Sequence, residues 1–167
     1  MTINVGDKLP DGTLTEYIET ASEGCSIGPQ AFKVSDLVKG KKIVIFAVPG
    51  AFTPTCSAKH LPGFVQHHDA FKAKGVDEIW CVAVNDAFVM GAWGRDQKAG
   101  DKVRMMADGG ATWTKALGLD MDLTERGMGV RSKRYAAIVE DGFVKALEVE
   151  APGAFEVSAA EAVLKQV

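Results

Sequence analysis

Val44-Ile45-Phe46-Ala47-Val48-Pro49-Gly50-Ala51-Phe52-Thr53-Pro54-Thr55-Cys56-Ser57 runs from an apolar segment through a turn into a helical pattern. Its opening is rich in β-branched residues, as a buried strand requires. Pro49 and Gly50 stop that strand, and Pro54 sets a rigid turn. Ser57-Ala58-Lys59-His60-Leu61, then Phe64-Val65 and Phe71, carry helical spacing onward. The pattern predicts a helix from Cys56 to about Lys74, kinked at Pro62-Gly63 and stopped by Gly75. Cys56 therefore falls in the first turn of a helix, just past the end of a central strand.

That position has a chemical consequence. The first N–H groups of a helix lack internal acceptors, and that end of the dipole is positive. A cysteine there has its thiolate form stabilised, and the thiolate is the nucleophile. The N–H groups of Thr55 and Cys56 are candidate donors to a substrate. The Thr53 hydroxyl can donate to the sulfur or accept from a protonated substrate. The competing reading is an inert core cysteine, a common fate for this residue type. The polar, proline-flanked neighbours favour the reactive reading.

The totals narrow the classes of function. A chain of 167 residues, 47% hydrophobic and 25% charged, suits one full-sized domain over residues 1–167. A net charge of −3 gives no electrostatic case for nucleic acid. No apolar run reaches membrane-span length. The first residues, Met1 to Asp7, lack a basic region followed by an apolar one, which favours a cytoplasmic location. The three cysteines, Cys25, Cys56 and Cys81, read as free thiols rather than a disulfide framework. No cysteine or histidine spacing fits zinc, and no glycine-rich string fits a phosphate loop or dinucleotide site. No cofactor or metal is expected.

Along the chain, residues 1–15 suggest a small edge hairpin, and residues 17–32 an irregular excursion with Cys25 exposed. Ser35 is a candidate N-cap of a short helix. Glu78-Ile79-Trp80-Cys81-Val82-Ala83-Val84 reads as a second buried strand, parallel to the first, and makes Cys81 a core thiol. Asn85-Asp86 caps the next helix, which ends near Gly100. Residues 103–107 form a short strand, 111–117 a helix, and 123–131 a loop. Tyr135 to Glu140 and Phe143 to Val149 are strands joined by Asp141-Gly142, a hairpin signal. Ser158 and Glu161 have capping-box spacing before a final helix. The alternation predicts an α/β fold, thioredoxin-like, with a central mixed β-sheet flanked by helices and an N-terminal extension.

A thiolate that attacks a peroxide also needs a cation for the developing charge. Arg131, Lys133 and Arg134 cluster before the hairpin, and the residues alone do not choose among them. His60, four residues past Cys56, shares its helical face. No orienting Asn or Asp is apparent for a cysteine–histidine protease, so His60 reads as structural or interfacial.

Pro49 to Ser57 resembles the active-site loop of the peroxiredoxins. The extension through His60-Leu61-Pro62-Gly63-Phe64 resembles their type II, peroxiredoxin-5-like branch. So do Val84-Asn85-Asp86-Ala87-Phe88-Val89, Trp93-Gly94-Arg95 and Gly129-Val130-Arg131-Ser132-Lys133-Arg134-Tyr135. The resemblance spans nearly the whole chain. It implies a thiol-dependent peroxidase acting on hydrogen peroxide and alkyl hydroperoxides, with Cys56 as peroxidatic nucleophile passing through a sulfenic acid. It matches Arg134 to the family's active-site arginine, Arg131 to a less strictly defined neighbour, and Pro49 to the proline that shields the sulfur. Cys81 matches a cysteine of plant and bacterial type II members, a possible resolving residue. The late cysteine of the animal-type branch has no counterpart, since residues 151–167 contain none. A one-cysteine cycle is therefore expected, with glutathione or glutaredoxin as reductant and thioredoxin as the alternative. The resemblance also implies a homodimer. A non-turnover redox sensor or relay would use the same Cys56 chemistry; a disulfide oxidoreductase is disfavoured without Cys-x-x-Cys.

Overall fold

The computed structural model describes residues 2–20 and 27–167. Seven strands form one sheet: β1 (Thr13–Ile18), β2 (Gly28–Lys33), β3 (Lys42–Val48), β4 (Glu78–Ala83), β5 (Arg104–Ala107), β8 (Tyr135–Glu140) and β9 (Phe143–Val149). Their order is β2-β1-β5-β4-β3-β8-β9. β3, β4 and β5 run parallel at the centre, and the outer pairings are antiparallel, so the sheet is mixed. β3 and β4 are buried along nearly their whole length, which is why both read as unbroken apolar runs.

Alternate residues of each strand serve two separate cores. Phe46, Val48, Cys81 and Ile138 face one side, under α2 (Leu61–Gln66), α3 (His68–Ala73), α4 (Ala87–Asp96) and α6 (Ala160–Leu164). Ile45, Ala47, Trp80 and Val139 face the other, with Val34 of α1 (Val34–Leu37) and Trp113 and Leu117 of α5 (Thr112–Leu117). This is the thioredoxin-like layout expected from the alternation of elements.

Several elements match their sequence signals. Asp86 is the N-cap of α4 and accepts from the Val89 N–H. Asp141 and Gly142 take φ of 48° and 83°, as a tight two-residue hairpin turn demands.

Other elements differ, each for a local reason. The edge hairpin expected within residues 1–15 lies further along: β1 begins at Thr13 and pairs with β2, from Thr13↔Lys33 to Ile18↔Gly28, so the stretch expected to be irregular, 17–32, carries the end of β1 and most of β2. β1 also joins β5 through Thr15 and Glu16, and this half-buried edge position explains its polar composition. Cys25 lies outside the described residues. Ser35 does not cap α1; the Asp11 carboxylate accepts from its N–H instead. Residues 123–131 are not a plain loop, since β6 (Asp120–Leu123) and β7 (Gly129–Ser132) pair across a short 3-10 turn. The final helix starts at Ala160 without a side-chain cap, because Ser158 is engaged elsewhere.

The long helix after Cys56 is also divided. A π-helical turn spans Cys56–His60, in which the Leu61 N–H reaches back to the Cys56 carbonyl. α2 follows without a gap, so Pro62 sits inside a continuous helical run, one residue past the switch from π to α geometry. The break falls at His67 (φ −95°, ψ 10°), before α3. Gly75 ends the run at φ +88°.

Candidate active site

The register of β3 and β8 assembles the site. Ala47 pairs with Tyr135 in antiparallel sense, so Arg134, one residue earlier, stands at the C-terminal end of β3. The loop leading to Cys56 leaves that same end. In open α/β sheets this edge is where ligands bind.

Cys56 is completely buried, yet its sulfur is not surrounded by hydrocarbon alone. Arg134 Nη2 donates to Cys56 Sγ at 3.1 Å. Arg134 Nη1 reaches His60 Nδ1 at 2.8 Å, and the guanidinium lies 5.8 Å from the Phe155 ring centroid. His60 Nε2 meets the Ser158 carbonyl at 2.9 Å. A carbonyl only accepts, so Nε2 carries the proton and Nδ1 presents its lone pair to the arginine. Burial, and then the Arg134 charge, push His60 down from 6.5 to about 3. His60 is therefore neutral at physiological pH.

The loop between β3 and Cys56 is pinned from three directions. The Asn85 side-chain oxygen accepts from the Ala51 N–H at 3.0 Å. Arg131 Nε donates to the Met128 carbonyl at 2.8 Å, and its Nη1 reaches the Pro49 carbonyl at 3.4 Å. A Cβ at Gly50 would sit 2.9 Å from Arg131 Nη1 and 3.2 Å from Thr53 Cγ2, so the close approach favours glycine. The Thr53 hydroxyl donates to the Gly50 carbonyl at 2.7 Å. Its proton is thus committed within the loop, and its lone pairs remain to accept from a ligand, the second of the two roles considered for it.

A cleft of about 310 Å³ is lined by Pro49, Thr55, Met121, Arg134, Val149 and Ala154 among others, and Arg134 is the wall residue that also touches the sulfur. Of the residues expected at the site, Pro49, Thr55 and Arg134 line the cleft. Cys56 and Thr53 are not among the residues that line it, and Arg131 braces the loop. Lys133, the third cation of the cluster, also borders the cleft.

Cys81 sits in the middle of β4, opposite Phe46 and Met105, in the same core as Cys56. Burial pushes its thiol well above the ordinary range; the nearby Cys56 adds to this and Arg134 opposes it. Both Cys56 and Cys81 are free thiols. Asn85, Glu150 and Ser158 were not expected near the site; Asn85 reads in sequence as part of a helix cap and Ser158 as half of a capping box. Glu150 Oε2 accepts from the Ser158 N–H and hydroxyl and from the Glu156 N–H. Burial opposes its ionisation, but these donors outweigh it and hold the carboxyl below its usual range. The contacts join the end of β9 to the entry of α6, a link that capping-box spacing conceals.

A family model described as Redoxin matches residues 4–164. The chain belongs to the Redoxin family, in its type II peroxiredoxin branch. Peroxiredoxin-2E-2, chloroplastic, of Oryza sativa subsp. japonica is 52% identical over 98% of this chain and 72% of its own length. Peroxiredoxin-2B of Arabidopsis thaliana is 47% identical, covering 98% of this chain and 97% of its own. Reduced Prx3 of Vibrio vulnificus, solved in complex with hydrogen peroxide, superposes with a TM-score of 0.91 at 52% identity, covering 99% of both chains. A Burkholderia cenocepacia chain provisionally named a thioredoxin reductase superposes with a TM-score of 0.99 at 61% identity, over 100% of this chain and 99% of its own. That name does not transfer, since this sequence has neither a dinucleotide-binding glycine pattern nor Cys-x-x-Cys.

This peroxiredoxin is a thiol-dependent peroxidase. No described helix is long and apolar enough to cross a membrane. Relatives include chloroplastic and mitochondrial forms, so kinship assigns no compartment.

The buried neutral His60 makes stability depend on pH. Its folded value lies below its unfolded one, so its contribution is complete above pH 6.5 and is lost as the pH falls toward 3. Glu78 and Glu150, also depressed, begin to lose theirs only near 4.5. Between pH 6.5 and 4.5 the unfolding free energy should therefore fall by up to about 1.4 kcal/mol per pH unit. Urea unfolding across that window should show this slope in the wild type and a flatter line in His60→Phe. Equal slopes would remove His60 as its source.

Proposed function

We propose that Cys56 is the peroxidatic cysteine and that Arg134 is its catalytic cation. The observation that carries this reading is the 3.1 Å contact between Arg134 Nη2 and Cys56 Sγ. A permanently charged guanidinium favours the thiolate and presents rigid donors to an oxygen approaching the sulfur. A peroxide in the cleft meets that guanidinium at the cleft wall. The thiolate attacks the hydroxyl-bearing oxygen of ROOH. An S–O bond forms, the O–O bond breaks, and RO⁻ leaves to take a proton from water. Cys56 is left as the sulfenic acid. Thr53 accepts from the peroxide hydroxyl through its free lone pairs, the Thr55 and Cys56 N–H groups assist as donors, and Pro49 screens the sulfur from bulk water.

Recycling follows a one-cysteine route. Glutathione, free or through glutaredoxin, attacks the sulfenic sulfur and releases water, and a second thiol frees Cys56 by exchange. Cys81 supports this route by its burial and its raised thiol, which leave it a poor nucleophile in the fold. A homodimer belongs to the same proposal. Phe52 and Phe88 are 53% and 65% exposed, and Phe52, held at φ +64°, flanks the active-site loop. Sedimentation of a monomer at micromolar concentration would count against that assembly.

Stopped-flow oxidation tests the core of the reading. Cys56→Ser should show no fast peroxide-dependent phase. Arg134→Ala should keep the phase but slow it by about 100-fold, the size of effect of one charged donor at a reacting centre. Cys81→Ser should retain most turnover with glutathione and glutaredoxin. A fast phase surviving in Cys56→Ser, an unchanged rate in Arg134→Ala, or lost turnover in Cys81→Ser would each remove the corresponding role.

A further inference from the structure

Arg134 is held in an unusual way for a buried or half-buried cation. No carboxylate among the described residues forms an ion pair with its guanidinium. Its second nitrogen is anchored instead by His60 Nδ1 at 2.8 Å. The nearest acidic group in this network, Glu150, is turned away and accepts three hydrogen bonds from Ser158 and Glu156.

The contacts close a circuit. His60 Nε2–H donates to the Ser158 carbonyl, and Ser158 is fastened to the Glu150 carboxylate. The Glu150 N–H then donates to the Arg134 carbonyl at 2.9 Å. The imidazole itself is fully buried. It is caged by Phe46, Phe64 and Phe155, with ring centroids 4.9, 5.7 and 5.0 Å away. The cage fixes the ring plane and the Ser158 carbonyl fixes the tautomer, so the lone pair on Nδ1 has one direction. A carboxylate in this place would also orient the guanidinium, but it would neutralise the charge that the sulfur and the departing oxygen require. A neutral acceptor orients it and leaves that charge intact.

We propose that His60 is a positioning residue for the peroxidase reaction, aiming the Arg134 guanidinium at Cys56 as a neutral hydrogen-bond acceptor. It touches neither the sulfur nor the peroxide. The inference rests on the assignment of Cys56 and Arg134 above. Its spacing from Cys56 follows from the π turn, which carries the cysteine at one end and the histidine at the other. Such turns often mark functional sites.

The test separates positioning from packing. His60→Phe keeps an aromatic ring in the cage but removes the acceptor. His60→Asn is smaller, leaves a cavity, and places an amide oxygen near the former Nδ1. If His60 serves only to pack, Phe should be both the more stable and the faster variant. Positioning predicts crossed rankings: Phe the more stable by urea unfolding, Asn the faster in stopped-flow oxidation by hydrogen peroxide. The Phe variant should be slowed by about 10- to 100-fold, the worth of one charge-assisted hydrogen bond, and Asn should recover at least part of that loss. Combining His60→Phe with Arg134→Ala gives a second reading that does not depend on Asn folding. The Phe substitution should cause no further slowing once the arginine is gone. Equal slowing in both backgrounds, or Phe as fast as the wild type, would overturn the proposal. A wild-type rate in Arg134→Ala alone would instead count against the assignment of Arg134, so the two failures are distinguishable.

Discussion

One contact organises the site: a guanidinium from the start of β8 against a sulfur at the start of the helical run after β3. The two residues are 78 positions apart, and neither local propensity nor a short turn brings them together. The sheet does. Antiparallel pairing of β3 with β8 sets the beginning of one strand against the end of the other, in a register fixed by residues buried on both faces. A one-residue slip of β8 would turn Ala136 and Ile138 into the opposite core and carry Arg134 with them. The apolar pattern of the strands therefore sets the geometry of the polar site.

The burial of Cys56 has to be understood in those terms. A buried thiol pushed up by its surroundings is a poor nucleophile, and Cys81, in the same core as Cys56, is in that situation. Cys56 is equally inaccessible to solvent, but it has a fixed cation in hydrogen-bonding range and a cleft behind the same cation. Two cysteines of equal exposure thus differ in that Cys56 has the guanidinium in hydrogen-bonding range, whereas Cys81 feels it only at longer range and against the larger effect of burial. The loop supports this division. Asn85, Arg131 and the close-packed Gly50 hold the backbone between Pro49 and Thr55 without contributing a group to the sulfur.

How much of this was legible in the sequence follows from the range of each interaction. Strands β3, β4, β8 and β9 and the Asp141-Gly142 turn were readable because their signals are local: apolar runs, chain punctuation, positive-φ residues. An edge hairpin was expected too early, within residues 1–15, and β2 was read as irregular, because the residues of β1 and β2 are polar and partly exposed and only pairing with β5 and each other makes them strands. The helix after Cys56 was foreseen, but not its π turn, which arises from packing rather than composition. Cys56, Thr53 and Thr55 lie in one loop and were singled out from its chemistry, with the shielding role of Pro49 added by the family resemblance. Arg134 needed the family resemblance to single it out from Arg131 and Lys133. Glu150 left no trace, since a carboxylate that binds a distant turn has no sequence period, and its partner Ser158 was read as a helix cap instead.

The central claim is that the Arg134 guanidinium acts on the reaction with the peroxide O–O bond, beyond any general effect on the sulfur. Arg134→Lys keeps a positive charge but loses the rigid fork of donors. The decisive measurement is therefore the rate of Cys56 oxidation by hydrogen peroxide compared with its rate of alkylation by iodoacetamide, in the wild type and in Arg134→Lys. The account predicts that peroxide oxidation falls by at least about 10-fold more than alkylation, because only the former uses the donors at a breaking O–O bond. Equal losses in the two reactions, or none in either, would contradict it.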